Sequence, residues 1–318
     1  MTLQRFWNRH LKLGSGLHKD CTVVIDECSQ VNTLMWHRLA PLARLCQLIV
    51  MGNPEDQLLA VADSWLDVPL EVDVSETQLL RSMCSYRRLR LTEGKRSCSE
   101  LWDLYSSIST TGWSIGQPLA EMIAAARALP RRGWADVNLV VSHARRRAVI
   151  REVMAERLAA ESPAETLTIP KGTDANSQEI QVWPGVVLTA VLDGISRVGI
   201  YNAQLLIVQG WSGDSLRLRC QEGGEDYTVP LSWAAENLRN GAAICYAAIQ
   251  ARTCRGTVQL LDWTSPRFTR RMLCMGLSRA TSIANGWLGE SSASPLCHHA
   301  PRHPPPGLVL RPKPPHLL

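Results

Sequence analysis

The chain has 318 residues, 45% hydrophobic and 20% charged, with a formal net charge of +5. That composition suits one large packed core or two ordinary ones and excludes a collagen-like or wholly disordered polymer. No apolar run reaches bilayer-spanning length and residues 1–10 lack the apolar stretch of a secretion signal, so the expected address is intracellular, nuclear or cytoplasmic, with no membrane partner.

The first element is a short β-branched strand, Thr22-Val23-Val24-Ile25, that runs straight into Asp26-Glu27-Cys28-Ser29-Gln30. A strand of this kind in a parallel sheet delivers adjacent carboxylates to its carboxyl edge. There one carboxylate can hold Mg²⁺ and its neighbour can orient a water, which is the chemistry of a Walker B box. The same residues also suit a buried strand followed by an Asp that caps the next helix. A helix is expected near Val31 to Arg44 and a second apolar strand over Leu45 to Met51. The turn Gly52-Asn53-Pro54-Glu55-Asp56-Gln57 follows, where the Gln57 amide can sense a γ-phosphate or its water.

Residues 76 to 170 repeat the α/β style. Helices are expected around Glu100 to Ile108 and Leu119 to Leu129, then a strand at Val137 to Val141 and a helix from His143 to Ala160, with His143 as a turn residue. Arginines cluster here: Arg81, Arg87, Arg88, Arg90 and Arg96 with Lys95, then Arg127, Arg131 and Arg132, then Arg145, Arg146 and Arg147. Such clusters can neutralise nucleic-acid phosphates, although several serve equally well as ordinary surface charge.

From about 180 to 232 the pattern becomes short β-rich runs, Val186 to Leu188, Gln204 to Gln209, Leu216 to Cys220 and Tyr227 to Leu231, broken by Gly and Asp. They read as a small antiparallel barrel or sandwich inserted into the α/β unit. Trp183, Trp211, Tyr201 and Trp233 around it are candidates for stacking on bases, with core packing as the competing use. Helical character and a closing strand return between Ala234 and Gly289, and residues 291–318 form a Pro-rich tail expected to be disordered or polyproline-like. His298, His299 and His303 lie in that tail and are read as part of it. The 10 cysteines show no C-x-x-C pair, which points to reduced thiols rather than a disulfide framework or a zinc site.

Taken together these segments resemble the motor core of a superfamily 1 DNA helicase of the RecD-like and Pif-type branch. Asp26 to Gln30 resembles motif II. Gly52 to Val61 resembles motif III, with Asn53 in place of Asp and one extra residue before Gln57. Leu91 to Ser97 is similar to motif IV, with the family's arginine falling on Arg96, and Asn202-Ala203 resembles an Asn-Gly position with the Gly lost. Met272 to Ser282 looks like motif VI, an apolar strand leading into Leu277-Ser278-Arg279-Ala280. Ala248 to Thr257 occupies the place of a nucleic-acid-contacting Gln-Gly segment, with Arg255-Gly256 standing there instead.

The resemblance implies an α/β fold of two RecA-like P-loop-NTPase-type domains, the first incomplete, with a small β-rich SH3-like insert in the second. The expected divisions are 1–75 for the partial first domain, 76–179 and 233–290 for the second, 180–232 for the insert and 291–318 for the tail. It implies ATP and Mg²⁺ as cofactors, with Asp26 holding the metal and contacting nucleotide. Glu27 activates water, Gln57 senses the γ-phosphate, and Arg96 and Arg279 reach the phosphates from the second domain. Arg252, Arg255 and Gly256 are the implied contacts to single-stranded DNA or RNA. Bottom-up, Arg279 also suits a helix cap or a surface ion pair.

A P-loop needs Gly-x-x-x-x-Gly-Lys followed by Ser or Thr, so that backbone N–H groups cradle phosphates and the Lys neutralises them. No such string occurs. Gly94-Lys95 is followed by Arg96, and the first Gly of the pattern falls on Leu89. The expectation is therefore an N-terminally truncated or diverged helicase, impaired in hydrolysis, with open sheet edges in residues 1–75 that another chain completing the first domain could cover. The alternative is a helicase-derived, non-catalytic module that binds single-stranded nucleic acid.

Overall fold

The computed structural model describes residues 3–12, 19–53, 58, 64–65, 68–69, 77–91, 93–109, 133–175, 177–192, 196–250, 252, 254 and 256–289. Gln57, Arg255, the expected helix over Leu119 to Leu129 and the Pro-rich tail lie outside these residues. The fold is mixed α/β.

The β-branched run forms β1 (Thr22–Ile25), which pairs in parallel with β2 (Gln47–Val50), Val24 opposite Ile49. Parallel pairing requires a crossover, and the chain supplies it as two helices, Thr33–Leu39 and Leu42–Leu45, where one was expected. The break falls at Ala40-Pro41: both residues keep helical backbone angles, but proline has no N–H to continue the ladder. Asn32 caps the first helix by accepting the Met35 amide at 2.8 Å. Trp36, Leu39 and Leu42 pack with Ile25 under one face of the strand pair. The opposite face is open, with Val24 and Ile49 53% and 49% exposed. Short strands β3 (Ser64–Trp65) and β4 (Val68–Pro69) pair antiparallel.

A four-stranded parallel sheet forms the second α/β layer, in the order β13 (Ala243–Cys245), β5 (Val137–Val140), β14 (Val258–Leu260), β15 (Gly286–Leu288). Both faces are covered, as parallel sheets require. Leu139, Ile244 and Leu260 pack against Leu101 of helix Ser99–Ser109 and against Leu273 and Leu277. Val140, Ala243 and Cys245 point the other way, onto Val149, Ile150 and Val153 of helix His143–Glu161. Ser142 caps that helix, accepting the Arg145 amide at 3.2 Å, so His143 is its first residue and not a separate turn.

The apolar run after Thr269 was expected as a strand and is a helix, Arg270–Leu277. An isolated run of six apolar residues fits either state, and tertiary packing decides between them. Thr269 accepts the Met272 amide at 3.2 Å, fixing the start. Gly276 lets the helix settle onto β14, where a Cβ would come within 2.7 Å of the Leu260 side chain.

The β-rich region is a five-stranded antiparallel sheet in the order β11 (Asp226–Pro230), β10 (Ser215–Cys220), β9 (Leu205–Ser212), β8 (Val187–Ala190), β12 (Leu238–Asn240). Alternate residues of β10 are buried, and Gln209 of β9 is bulged out opposite the Arg217–Leu218 step, which curls β9. A hairpin absent from the sequence-based expectations, β6 (Leu167–Ile169) with β7 (Ile180–Val182), shares its core. Gly241-Ala242 alone separates β12 from β13, so the antiparallel and parallel sheets are joined by one tight turn. That turn is fastened from both sides: the Gly241 amide donates to Val187 O at 2.9 Å, and the Asn138 amide and side chain both donate to Ala242 O.

Candidate nucleotide cleft

The carboxylate pair sits where β1 ends. Ile25 O accepts the Met51 amide at 2.8 Å and Met51 O accepts the Cys28 amide at 3.0 Å, which ties the ends of β1 and β2 together. The chain must then turn sharply, and Glu27 does so with φ of 53° in the left-handed region, a conformation costly for a residue with a side chain. Asp26 Oδ1 accepts the Glu27 amide at 2.8 Å and steadies the turn. Asp26 is exposed and Glu27 half-buried.

Glu27 faces residues far along the chain. Its Oε2 accepts Nε2 of Gln250 at 3.5 Å, and the charges of Arg279 and Arg96 both act on it. Burial first, and Asp26 second, push the Glu27 carboxyl above its ordinary value, while the two arginines and Gln250 pull it back. A carboxylate so raised is better matched to accepting a proton near neutrality than one in water.

Arg279 follows the last helix turn, 7% exposed. Its Nε donates to Met275 O at 3.1 Å, Nη1 to Arg252 O at 2.7 Å and Nη2 to Ser278 Oγ at 2.9 Å. Burial, then repulsion from Arg96, bring its pKa down to about 10, so it stays cationic at neutral pH. Among the described residues Glu27 and Arg279 form no direct ion pair. Arg96 is exposed and is held beside Arg279 by its own neighbours: Ser97 Oγ donates to Ala280 O at 3.1 Å and the Cys98 amide to Thr281 O at 2.8 Å.

Asp26, Glu27, Arg96 and Arg279 therefore converge. Gln250 belongs to the same group, buried at the end of the short helical turn after β13, and sequence reasoning missed it. A polar residue closing the apolar run Tyr246-Ala247-Ala248-Ile249, at the carboxyl side of a parallel strand, was the available signal.

The proposed nucleic-acid residues are placed otherwise. Arg252 donates Nη1 to Thr189 Oγ1 of β8 at 3.2 Å. Gly256 packs on Asp136, where any Cβ would overlap the Asp136 carboxylate, and that carboxylate accepts the Thr257 amide and hydroxyl at 2.7 Å each. This packing is reason enough for a glycine at 256. Of the stacking candidates, Trp183 is buried with its Nε1 donating to Glu161, Trp211 and Trp233 pack against the antiparallel core, and Tyr201 is 43% exposed.

The donor set fits a magnesium nucleotide on one side. An exposed carboxylate beside a half-buried one offers hard oxygen ligands, and two guanidiniums offer phosphate contacts. No group of three or more His, Cys, Asp or Glu suited to a metal occurs among the described residues, so any Mg²⁺ here needs phosphate oxygens to complete its shell. Of the described helices, none is long and apolar enough to cross a membrane.

No protein-family model and no curated protein sequence matches the chain. Solved structures do. A Pif1 helicase solved to explain unwinding of forked duplex DNA by two coordinating Pif1 helicases superposes with a TM-score of 0.58 at 14% identity, covering 91% of this chain and 77% of its own. The Candida albicans Pif1 helicase gives 0.57 at 13% over the same shares. Bacteroides Pif1 in complex with ADP-AlF3 and single-stranded DNA gives 0.53 at 15%, over 84% and 70%. The likeness is one of fold: a mixed α/β architecture resembling the Pif1 helicase motor domains.

Proposed function

We propose that this chain is a helicase-derived protein of the superfamily 1 type, in which a nucleotide cleft between two RecA-like lobes governs a grip on single-stranded DNA. The observation that carries the reading is the meeting of Glu27 with Gln250, Arg279 and Arg96. Residues from opposite ends of the chain bring an acid pair and two cations within electrostatic reach of one another, which supports the reading. The Pif1-like fold supports it, and the neighbour with ADP-AlF3 and single-stranded DNA names the ligands to test.

Asp26 is the residue that would hold Mg²⁺, and Glu27 the one that orients and deprotonates a water. Gln57 is proposed to read the γ-phosphate, and Arg96 and Arg279 to draw on the phosphate oxygens. Bound ATP with Mg²⁺ supplies the phosphoryl group whose transfer this charge arrangement stabilises. The 318 residues contain no Gly-x-x-x-x-Gly-Lys string, so weak turnover is proposed for them. The exposed Val24–Ile49 face suits a further segment or chain that packs on it and completes the first lobe. Arg255 remains the proposed phosphate contact for the nucleic acid.

Fluorescence anisotropy with a labelled single-stranded oligonucleotide tests the reading, run across salt with and without a non-hydrolysable ATP analogue and paired with phosphate release. The expected result is salt-sensitive binding that the analogue shifts, a shift lost in Asp26→Asn, with phosphate release close to background. Robust phosphate release sinks the impaired-chemistry part. Binding that ignores the analogue favours the second reading, a non-catalytic single-strand module, for which exposed Tyr201 beside the antiparallel sheet is the supporting observation. An RNA oligonucleotide in the same assay separates the two nucleic acids.

A further inference from the structure

Arg252 sits at a junction that its expected role as a nucleic-acid contact does not explain. Its guanidinium reaches out of the parallel-sheet lobe to Thr189 Oγ1, a buried hydroxyl on β8, the strand that holds both β9 and β12. Its backbone is engaged in the other direction. Arg252 O accepts Nη1 of Arg279 at 2.7 Å, and two residues later the Cys254 amide donates to Arg279 O at 2.9 Å. Two residues earlier, Gln250 meets Glu27. One short stretch therefore touches the acid pair, the buried arginine and the antiparallel sheet.

The Arg252 contact is also under-satisfied. Its Nε is buried without a hydrogen-bond partner, and burial lowers the pKa of its guanidinium, with Glu222 and Tyr201 of the antiparallel region among the groups whose charge acts on it. A guanidinium used only to cement a core would be expected to fill its fork with carbonyls, as Arg239 does with Ala235, Glu236 and Leu238 O. A single hydroxyl on a neighbouring sheet is a weak, directional tie that a small movement of either sheet breaks.

We infer that Arg252 is a positioning residue, a clasp that sets the Arg279 and Gln250 side of the cleft according to where the antiparallel sheet stands. The inference rests on the proposed function for its purpose, because a sheet that grips a strand needs a route to the nucleotide. The mechanical link itself stands on hydrogen bonds alone. When β8 shifts, the Thr189 hydroxyl withdraws, the Arg252 side chain follows or lets go, and the Arg252 carbonyl moves relative to Arg279 Nη1. Arg279 then changes its position toward Glu27 without touching the nucleic acid.

Residue-resolved amide hydrogen exchange on the full chain tests the link without any ligand. Thr189→Val keeps the side-chain shape and removes the acceptor, and Arg252→Met removes the donor and leaves β8 unaltered. Both should speed exchange of the Cys254 amide about tenfold, the scale of one charge-assisted hydrogen bond. The Val208 amide, bonded to Val186 O inside the antiparallel sheet, should keep its wild-type protection. If Thr189→Val also exposes Val208, Arg252→Met alone decides between the clasp and its absence. Wild-type protection of Cys254 in Arg252→Met overturns the clasp. Failure of the proposed function registers separately, as anisotropy that does not respond to the nucleotide analogue in a chain whose Cys254 exchange behaves as stated.

Discussion

Truncating Arg279 is the perturbation whose cost the geometry fixes best. Arg279→Ala removes three hydrogen bonds from a guanidinium, two of them to backbone carbonyls, at 3.1 Å to Met275 O and 2.7 Å to Arg252 O. Charge-assisted bonds of this kind contribute about 1.5–3 kcal/mol each, and a buried carbonyl left without a partner costs about 1–3 kcal/mol. Against this stands the burial of the cation. A fall from 12.5 to about 10 corresponds to about 3 kcal/mol that the mutation gives back. The net expectation is a loss of at least about 2 kcal/mol. Arg279→Lys should lie between, since an ammonium cannot span acceptors set out for a planar fork. Urea unfolding followed by tryptophan fluorescence measures both. If Arg279→Ala shifts the midpoint by no more than the experimental scatter, the three bonds are not made in solution and the description of Arg279 as a pinned cation is wrong.

Glu27 gives a pH test with a definite sign. Its folded-state pKa is raised, by burial first, so the folded chain binds that proton more tightly than the unfolded chain. The resulting contribution favours folding below the ordinary value of 4.5 and is lost as pH rises through the higher folded value. Urea midpoints from pH 4.5 upward should therefore fall less in Glu27→Gln than in wild type, and equal slopes refute the assignment. Gly256→Ala should destabilise by about 1–3 kcal/mol, because a methyl there displaces the Asp136 carboxylate from Thr257. Thermal melting checks this, and a neutral result means the Asp136 clamp yields freely. Ala203 holds φ of 73°, the left-handed geometry that glycine adopts without strain. Ala203→Gly should stabilise by about 0.5–1 kcal/mol in the same melts, and a loss means the position is not strained.

What the sequence disclosed was whatever local chemistry dictates. The strand ending in Asp26-Glu27 could be read because β-branched residues and adjacent carboxylates point to one answer. The helix after β5 could be read because Ser142 caps it. Ala203 shows the same logic from the other side: an Asn followed by a residue where glycine is usual predicted a turn, and the turn is there with alanine carrying the strain. The strand expected over Met272 to Gly276 failed because the run is apolar throughout. Its state is decided by β14 and by helix Ser99–Ser109, which lie far away in sequence. The strands of the β6–β7 hairpin are three residues each, too short for alternation to declare itself. The contacts of Arg252 with Thr189 and of Gly256 with Asp136 could not be read from spacing, because the partners are 63 and about 120 residues away.

The same contrast bears on the charge of the proposed nucleotide cleft. Arg145 forms ion pairs with Asp262 at 3.2 Å and Glu152 at 3.6 Å, so its charge is met by carboxylates. Arg279 is held as firmly, yet by carbonyls and a hydroxyl, which orient a guanidinium without cancelling its charge. Its positive charge is therefore retained, opposed by Arg96 and drawn by Glu27. In the proposed function, a polyanion held between them would relieve the repulsion between the arginines and meet cations that need no reorganisation to receive it. Neutral acceptors and the charge of Glu27 together offset the cost of burying Arg279. Replacing Ser278 or shifting the Arg252 carbonyl therefore acts on the cleft from behind.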